Sequence, residues 1–408
     1  MLEPLRERDF ALLWSGMTLS FVGDGIYLVA VAWQVYSLSN TPTALSVVGL
    51  AWILPQLPLF VVAGVLIDRF ERRRILIVAD VVRLIAVGGI GVLAVTGALA
   101  VWHIVALVVL LGCGDALFGP AFSAFVPELV IGDQLAQANA LDSFVRTLTS
   151  RLVGPALGGV VVATVGAGEA FLVDAATFGA SALCLLAVRS RDLPREFSER
   201  LSARAELREG AAYVRSQPWI WGTLVTAGLS LLFWFGPSQV LLPYIVKNEL
   251  GGGAGDLGAV YAAAGIGSLI GALAWGQLGL PRRPILVMAL AWVAPGLELA
   301  ALGIVGSLWQ AAAALAIGHA LAVPGMIIWM TLLQSEVPPG MLGRVSSFDW
   351  LVSTCLLPIS FALTGPVAAA AGADATVIAG GLISAGVMAG LLAIPGVREI
   401  ERHRARTG

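Results

Sequence analysis

The sequence predicts an all-helical membrane protein, twelve transmembrane helices arranged as two six-helix bundles, from three observations. Hydrophobic residues make up 58% of the 408 residues and charged ones only 12%, about half the charged share of a soluble domain; the mean hydropathy is +0.89. Apolar runs long enough to cross a hydrocarbon core of about 30 Å, at about 1.5 Å per helical residue, recur along the whole chain. The runs are continuous, whereas barrel strands would alternate polar with apolar, so helices must satisfy the backbone in lipid.

Taken in order, the first half carries runs at 10–38, 43–67, 75–97, 102–126, 140–165 and 168–188. The start, MLEPLRERDF, lacks the plain basic opening of a cleavable signal, and the first run is too long for a signal core. Run two ends on GVLIDRFERRR, residues 64–74, where four arginines crowd into six positions. Run six ends on the charged segment 189–218, read as a partly helical cytoplasmic linker with a solvated surface. The second half carries runs at 219–246, 255–279, 284–305, 308–335, 345–371 and 374–396. The expected organisation is therefore a bundle over 1–188, a linker over 189–218, a bundle over 219–397 and a cytoplasmic tail over 398–408.

Charge sets the orientation. With both termini cytoplasmic, 20 of the 24 Lys and Arg fall on that side and only Lys247 on the other, while Arg83, Arg146 and Arg151 lie within runs. The positive-inside rule then predicts a multi-pass protein of the cell membrane with both ends inside. The halves also echo one another: RRRILIV at 72–78 is answered by RRPILVM at 282–288, and ALDSFV at 140–145 by RVSSFD at 344–349. Weak parallel repeats of six spans are the mark of a two-bundle secondary transporter with its substrate near the midplane.

Several chemistries are excluded. A phosphate-binding loop needs Lys followed by Ser or Thr, and the single lysine, Lys247, precedes Asn248. His103, His319 and His403 form no HExxH motif and no GxSxG elbow occurs, so the chain is not read as an enzyme. Cys113, Cys184 and Cys355 lie far apart and give neither a metal spacing nor a disulfide. No cofactor, metal or nucleic acid is expected, since the charges lie in connections rather than on one basic face.

The motifs carry a resemblance. GVLIDRFERRR, with Gly64, Asp68, Arg69, Arg72 and Arg73, resembles the loop between spans 2 and 3 of the major facilitator superfamily, with Glu71 in place of the usual glycine. RLVGPALGGV, with Gly154, Pro155, Gly158 and Gly159, is similar to the fifth-span motif of its drug and proton antiporters. Together with PELVIGDQLAQANAL and GRVSSF, the pattern resembles the branch of macrolide efflux proteins and enterobactin exporters.

The resemblance implies roles. Asp68 is expected to cap a neighbouring helix, span 11 near Arg344, as a conformational latch on the cytoplasmic side. The pairs Asp80 with Arg83 and Asp142 with Arg146, three and four residues apart, are expected to meet on one helix face and support it. Gly154, Pro155, Gly158 and Gly159 are expected to give close packing and a bend. Asp174 and Glu298 sit toward the outer ends of their runs, within reach of water or headgroups, and are read as structural.

In the resembled fold, spans 1, 4, 7 and 10 line a central cavity. Asp24 and Asp115 then lie about 20 Å along their helices, near mid-depth, and His319 enters span 10 to a comparable level. Desolvation penalises charge there, so these three are the candidates for loading and releasing a proton. Trp234, flanked by Phe233 and Phe235, supplies an aromatic wall which, with Asp24 and Asp115, suits amphipathic neutral or cationic molecules. The absence of Lys and Arg from the four central spans argues against an anionic ligand. The reading is a proton-coupled exporter of amphipathic drug-like or secondary-metabolite compounds, working by alternating access as a monomer among membrane lipids. Its rivals are an importer or facilitator of the same fold, a siderophore exporter, and a non-transporting scaffold.

Overall fold

The computed structural model describes residues 3–130, 134–189 and 203–401. Among them, twelve helices are long and apolar enough to cross a membrane: Arg8–Leu38, Pro42–Phe60, Arg72–Val95, Val101–Leu129, Gln137–Thr164, Ala167–Ala187, Pro218–Glu249, Ala254–Trp275, Pro284–Leu302, Leu308–Glu336, Gly340–Ala371 and Ala373–Ala393. These are spans 1 to 12 below, and each overlaps one of the twelve runs. No strand occurs among the described residues. A linker helix, Ala203–Ser216, lies between spans 6 and 7; the rest of the expected linker, 190–202, and the tail from 402 fall outside the described residues.

Helix starts and stops follow local chemistry. Proline at the first turn opens spans 2 and 9, where a missing N–H costs nothing. Gly97 closes span 3 and Gly372 separates spans 11 and 12 at φ 73° and 88°, a left-handed conformation suited to glycine. Three spans are interrupted. Span 2 breaks between Ile53 and Gln56, at Pro55; span 11 breaks at Leu356, before Leu357–Ala371. In span 5 a π-turn, Thr149–Val153, precedes the helix Gly154–Thr164. Pro155 cannot donate to the carbonyl of Arg151 four residues back, so the regular ladder fails there.

The chain packs as two compact units. In the first, span 1 lies against spans 5 and 6, span 3 against spans 4 and 6, and span 2 against span 4, over a core that includes Phe10, Met17, Phe21, Leu76, Phe118 and Phe122. Pro243–Gly265, the end of span 7 and the first half of span 8, belongs to this unit. There a Cβ on Gly258 would come 2.6 Å from both the Gly159 Cα and the Pro155 carbonyl oxygen of span 5, so the two helices touch through bare backbone. The second unit holds the remainder, with span 9 packed on spans 10 and 12 around Ile220, Ile285, Met288, Trp329 and Leu332. The linker helix docks on span 11, where Arg344 Nη1 lies 2.6 Å from Glu209 Oε2.

Candidate functional site

Asp24, Asp115 and His319 each follow a glycine, and at each glycine an ionisable side chain from a neighbouring span fills the space a Cβ would need. On span 1, a Cβ at Gly23 would overlap Asp174 Oδ1 and Thr177 Oγ1 of span 6. Asp174 is 1% exposed, and its Oδ2 has no hydrogen-bond partner among the described residues. On span 4, a Cβ at Gly114 would sit 2.6 Å from Cγ of Arg83, which enters from span 3. On span 10, a Cβ at Gly318 would overlap the carboxyl of Glu298, which enters from span 9.

Arg83 is the centre of the first unit's network. It is buried, pairs with Asp80 one turn back, and its Nη1 lies 3.7 Å from Asp115 Oδ1. Its guanidinium sits over the rings of Phe118 at 4.0 Å and Phe178 at 4.4 Å, which offsets part of its lost hydration. Trp52 Nε1–H donates to Asp115 Oδ2 at 2.9 Å, and the Gln56 amide donates to the Trp52 carbonyl at 2.9 Å, across the break in span 2. Arg83, Asp115, Asp80 and Arg146 are the charges that act on Asp24, and Asp24 in turn acts on Asp174. Asp24 makes no hydrogen bond or ion pair among the described residues. Among the described residues Arg83 is the one buried guanidinium set among these carboxylates.

In the second unit, His319 Nδ1 lies 3.2 Å from Glu298 Oε2 and 3.1 Å from the Leu315 carbonyl. The Glu298 side chain is 6% exposed and the imidazole 21%, so the ring is the more solvent-accessible of the two. Glu298 and Asp174, expected within reach of water or headgroups, are instead buried against glycines. Trp234 is half-buried with its Nε1 unpaired among the described residues. Phe235 packs edge-on against Phe361 at 5.6 Å, and the Phe233 carbonyl rests 2.7 Å from where a Cβ of Gly380 would stand.

The latch residues divide. Arg72 pairs with Glu128 at the end of span 4. Arg73 donates to the carbonyls of Leu185 and Leu186 at 2.8 Å, capping span 6. Arg146 lies 3.5 Å from Asp142 and over the Phe21 ring at 4.2 Å. Arg344 pairs with Glu209 of the linker helix, a partner the sequence did not suggest; the surroundings of Gly64 and the side chain of Asp68 lie outside what is described, and Arg69 is exposed. Arg83 meets Asp80 on its own helix as expected and also leans on Asp115 of span 4. Gly154 and Gly158 face Gly25 and Ile26 of span 1, and Gly159 faces Gly258.

A twelve-span helical fold with charge networks buried inside its bundles defines a membrane transporter of the major facilitator type. The chain belongs to the transmembrane secretion effector family of that superfamily, which matches residues 1–405. It is 29% identical to the multidrug efflux pump Tap of Mycolicibacterium fortuitum over 98% of this chain and 97% of that one. It is 30% identical to the enterobactin exporter EntS of Citrobacter koseri over 97% and 93%. Among solved structures, a bacterial homologue of the iron transporter ferroportin, in its inward-facing state, shares the fold at a TM-score of 0.72 and 16% identity, covering 95% of this chain and 98% of that one. A bacterial homologue of the lysosomal transporter Spinster does so at 0.69 and 15%, covering 98% and 97%. The chain is a multi-pass membrane transporter and not an enzyme; its partners are lipids and small-molecule substrates.

Proposed function

We propose that the protein exports amphipathic drug-like or secondary-metabolite compounds in exchange for protons, by alternating access of two six-helix halves, 1–188 and 219–397, with both termini cytoplasmic and as a monomer. Similarity to a multidrug efflux pump and an enterobactin exporter supports export. The observation that carries proton exchange is the unpartnered Asp24 beside an arginine shared by Asp80 and Asp115.

The geometry suggests how a proton does work. Protonating Asp115 removes one of the two carboxylates that hold Arg83 and weakens the hydrogen bond from Trp52, which stands just before the break in span 2. Protonating Asp24 changes the charge of span 1 one residue from Gly25, whose backbone lies directly against Gly154 of span 5. Both events alter helix packing in the first half, and the pairs of Arg72, Arg73 and Arg344 with their neighbours are the latches those movements would load. His319 with Glu298 offers a second proton-accepting pair.

The test uses purified protein in liposomes with a trapped pH-sensitive dye and ethidium as the amphipathic substrate. Ethidium addition is expected to drive proton movement in the wild type and none in Asp24→Asn. Equal flux in both removes Asp24 from the proton path, and ethidium transport without any wild-type proton flux makes the protein a facilitator.

A further inference from the structure

Arg151 is the one ionisable side chain of span 5 that the networks above do not use. It stands at the middle of Gln137–Thr164, about 20 Å from either end of the helix, too deep for a side chain to reach a headgroup. It has no hydrogen bond or ion pair among the described residues and is exposed.

The exposure is toward the interior. Pro155, Gly158 and Gly159, at four, seven and eight residues beyond Arg151, share its helix face and are all buried. Its own backbone lies under span 8, where a Cβ on Gly265 would overlap the Arg151 carbonyl oxygen and stand 3.0 Å from Leu152 Cα. A bare guanidinium facing hydrocarbon at mid-depth would be strongly disfavoured, because nothing there replaces its hydration. The π-turn places it there: Pro155 frees the Arg151 carbonyl, and the irregular backbone is tolerated because it is enclosed by protein.

We infer that Arg151 is a substrate-binding residue that holds the anionic group of an amphipathic organic acid, a carboxylate or an ionised phenol, at the membrane midplane. The fork of a guanidinium matches such groups in two parallel hydrogen bonds, and mid-depth is where secondary transporters hold their substrates. The inference rests on the transporter reading above and widens its substrate range, since cationic and neutral compounds alone would leave Arg151 without a partner.

The experiment compares two dyes by counterflow in proteoliposomes, anionic carboxyfluorescein and cationic ethidium, for wild type, Arg151→Gln and Arg151→Lys. Counterflow needs no proton gradient, so it reads substrate binding and movement alone. The ratio of carboxyfluorescein to ethidium transport is expected to fall on the order of tenfold or more in Arg151→Gln, the loss of one charge-assisted contact, and to recover in part in Arg151→Lys. An unchanged ratio, or a wild type that carries ethidium and no carboxyfluorescein, overturns the inference and leaves the transporter reading standing. A wild type that carries neither dye overturns both. Thermal unfolding and gel filtration of each variant in detergent show that a changed ratio belongs to folded protein.

Discussion

At the scale of single residues, the energetics of Arg83 turn on what it neutralises. A charge this deep is held by its surroundings, two carboxylates and two aromatic faces. Removing only one partner of a buried pair strands the other and costs about 3–5 kcal/mol, whereas removing both charges is often nearly neutral. Arg83→Gln is therefore expected to lower the thermal midpoint sharply, and Asp80→Asn with Arg83→Gln to regain most of it; a double variant as unstable as the single one would falsify this account. The individual candidates Asp24, Asp115 and His319 were legible because a charge in an apolar run has to be explained. The side chains that come in beside them were not, because Asp174, Arg83 and Glu298 approach from other spans and a single sequence carries no contact across helices. A signal was nevertheless present: GD at 23–24, GD at 114–115 and GH at 318–319. In these three places a glycine directly before an ionisable residue within a span marks where a second side chain comes in.

At the scale of elements, span 5 is held by atoms that cannot rotate away. A Cβ on Gly154 would meet Gly25 Cα and the Val22 carbonyl oxygen, each at 2.7 Å, both backbone atoms of span 1. Gly386, in the interior of the helix Ala373–Gly390 of span 12, has nothing within 4 Å of the same position. Gly154→Ala is expected to cost about 1–3 kcal/mol by overpacking. Gly386→Ala is expected to gain about 0.5–1 kcal/mol from the lower helix entropy cost of alanine. Equal thermal midpoints for the two variants would show that spans 1 and 5 are loosely joined. Hydrophobic length made every span readable, and Gly97 and Gly372 sit where helices were expected to stop. The breaks at Pro55 and Leu356 and the π-turn at Thr149–Val153 were not readable as such. Proline within a membrane helix is often tolerated, and packing against neighbouring spans decides which proline interrupts its helix.

At the scale of the whole molecule, orientation decides which way a substrate moves, and it rests on charge. Large apolar side chains such as Leu183, Ile270, Leu273 and Leu363 are exposed along the spans, as lipid contact requires. Trp102 and Trp309 are exposed at the starts of spans 4 and 10, where indoles favour the headgroup layer. Both starts lie on the side opposite the N-terminus, since spans alternate direction. That side carries Lys247 alone, while 20 of the 24 Lys and Arg lie on the other. Inverting the protein would mean carrying the arginines at 69–74 and those of the linker across the membrane, which the inserting machinery resists. The expectation is checked in a background with Cys113, Cys184 and Cys355 changed to serine, adding Gly306→Cys between spans 9 and 10 or Ser216→Cys at the end of the linker helix. A membrane-impermeant maleimide applied to intact cells should label the cysteine at 306 at once and that at 216 only after the membrane is opened. The reverse pattern would put the termini outside.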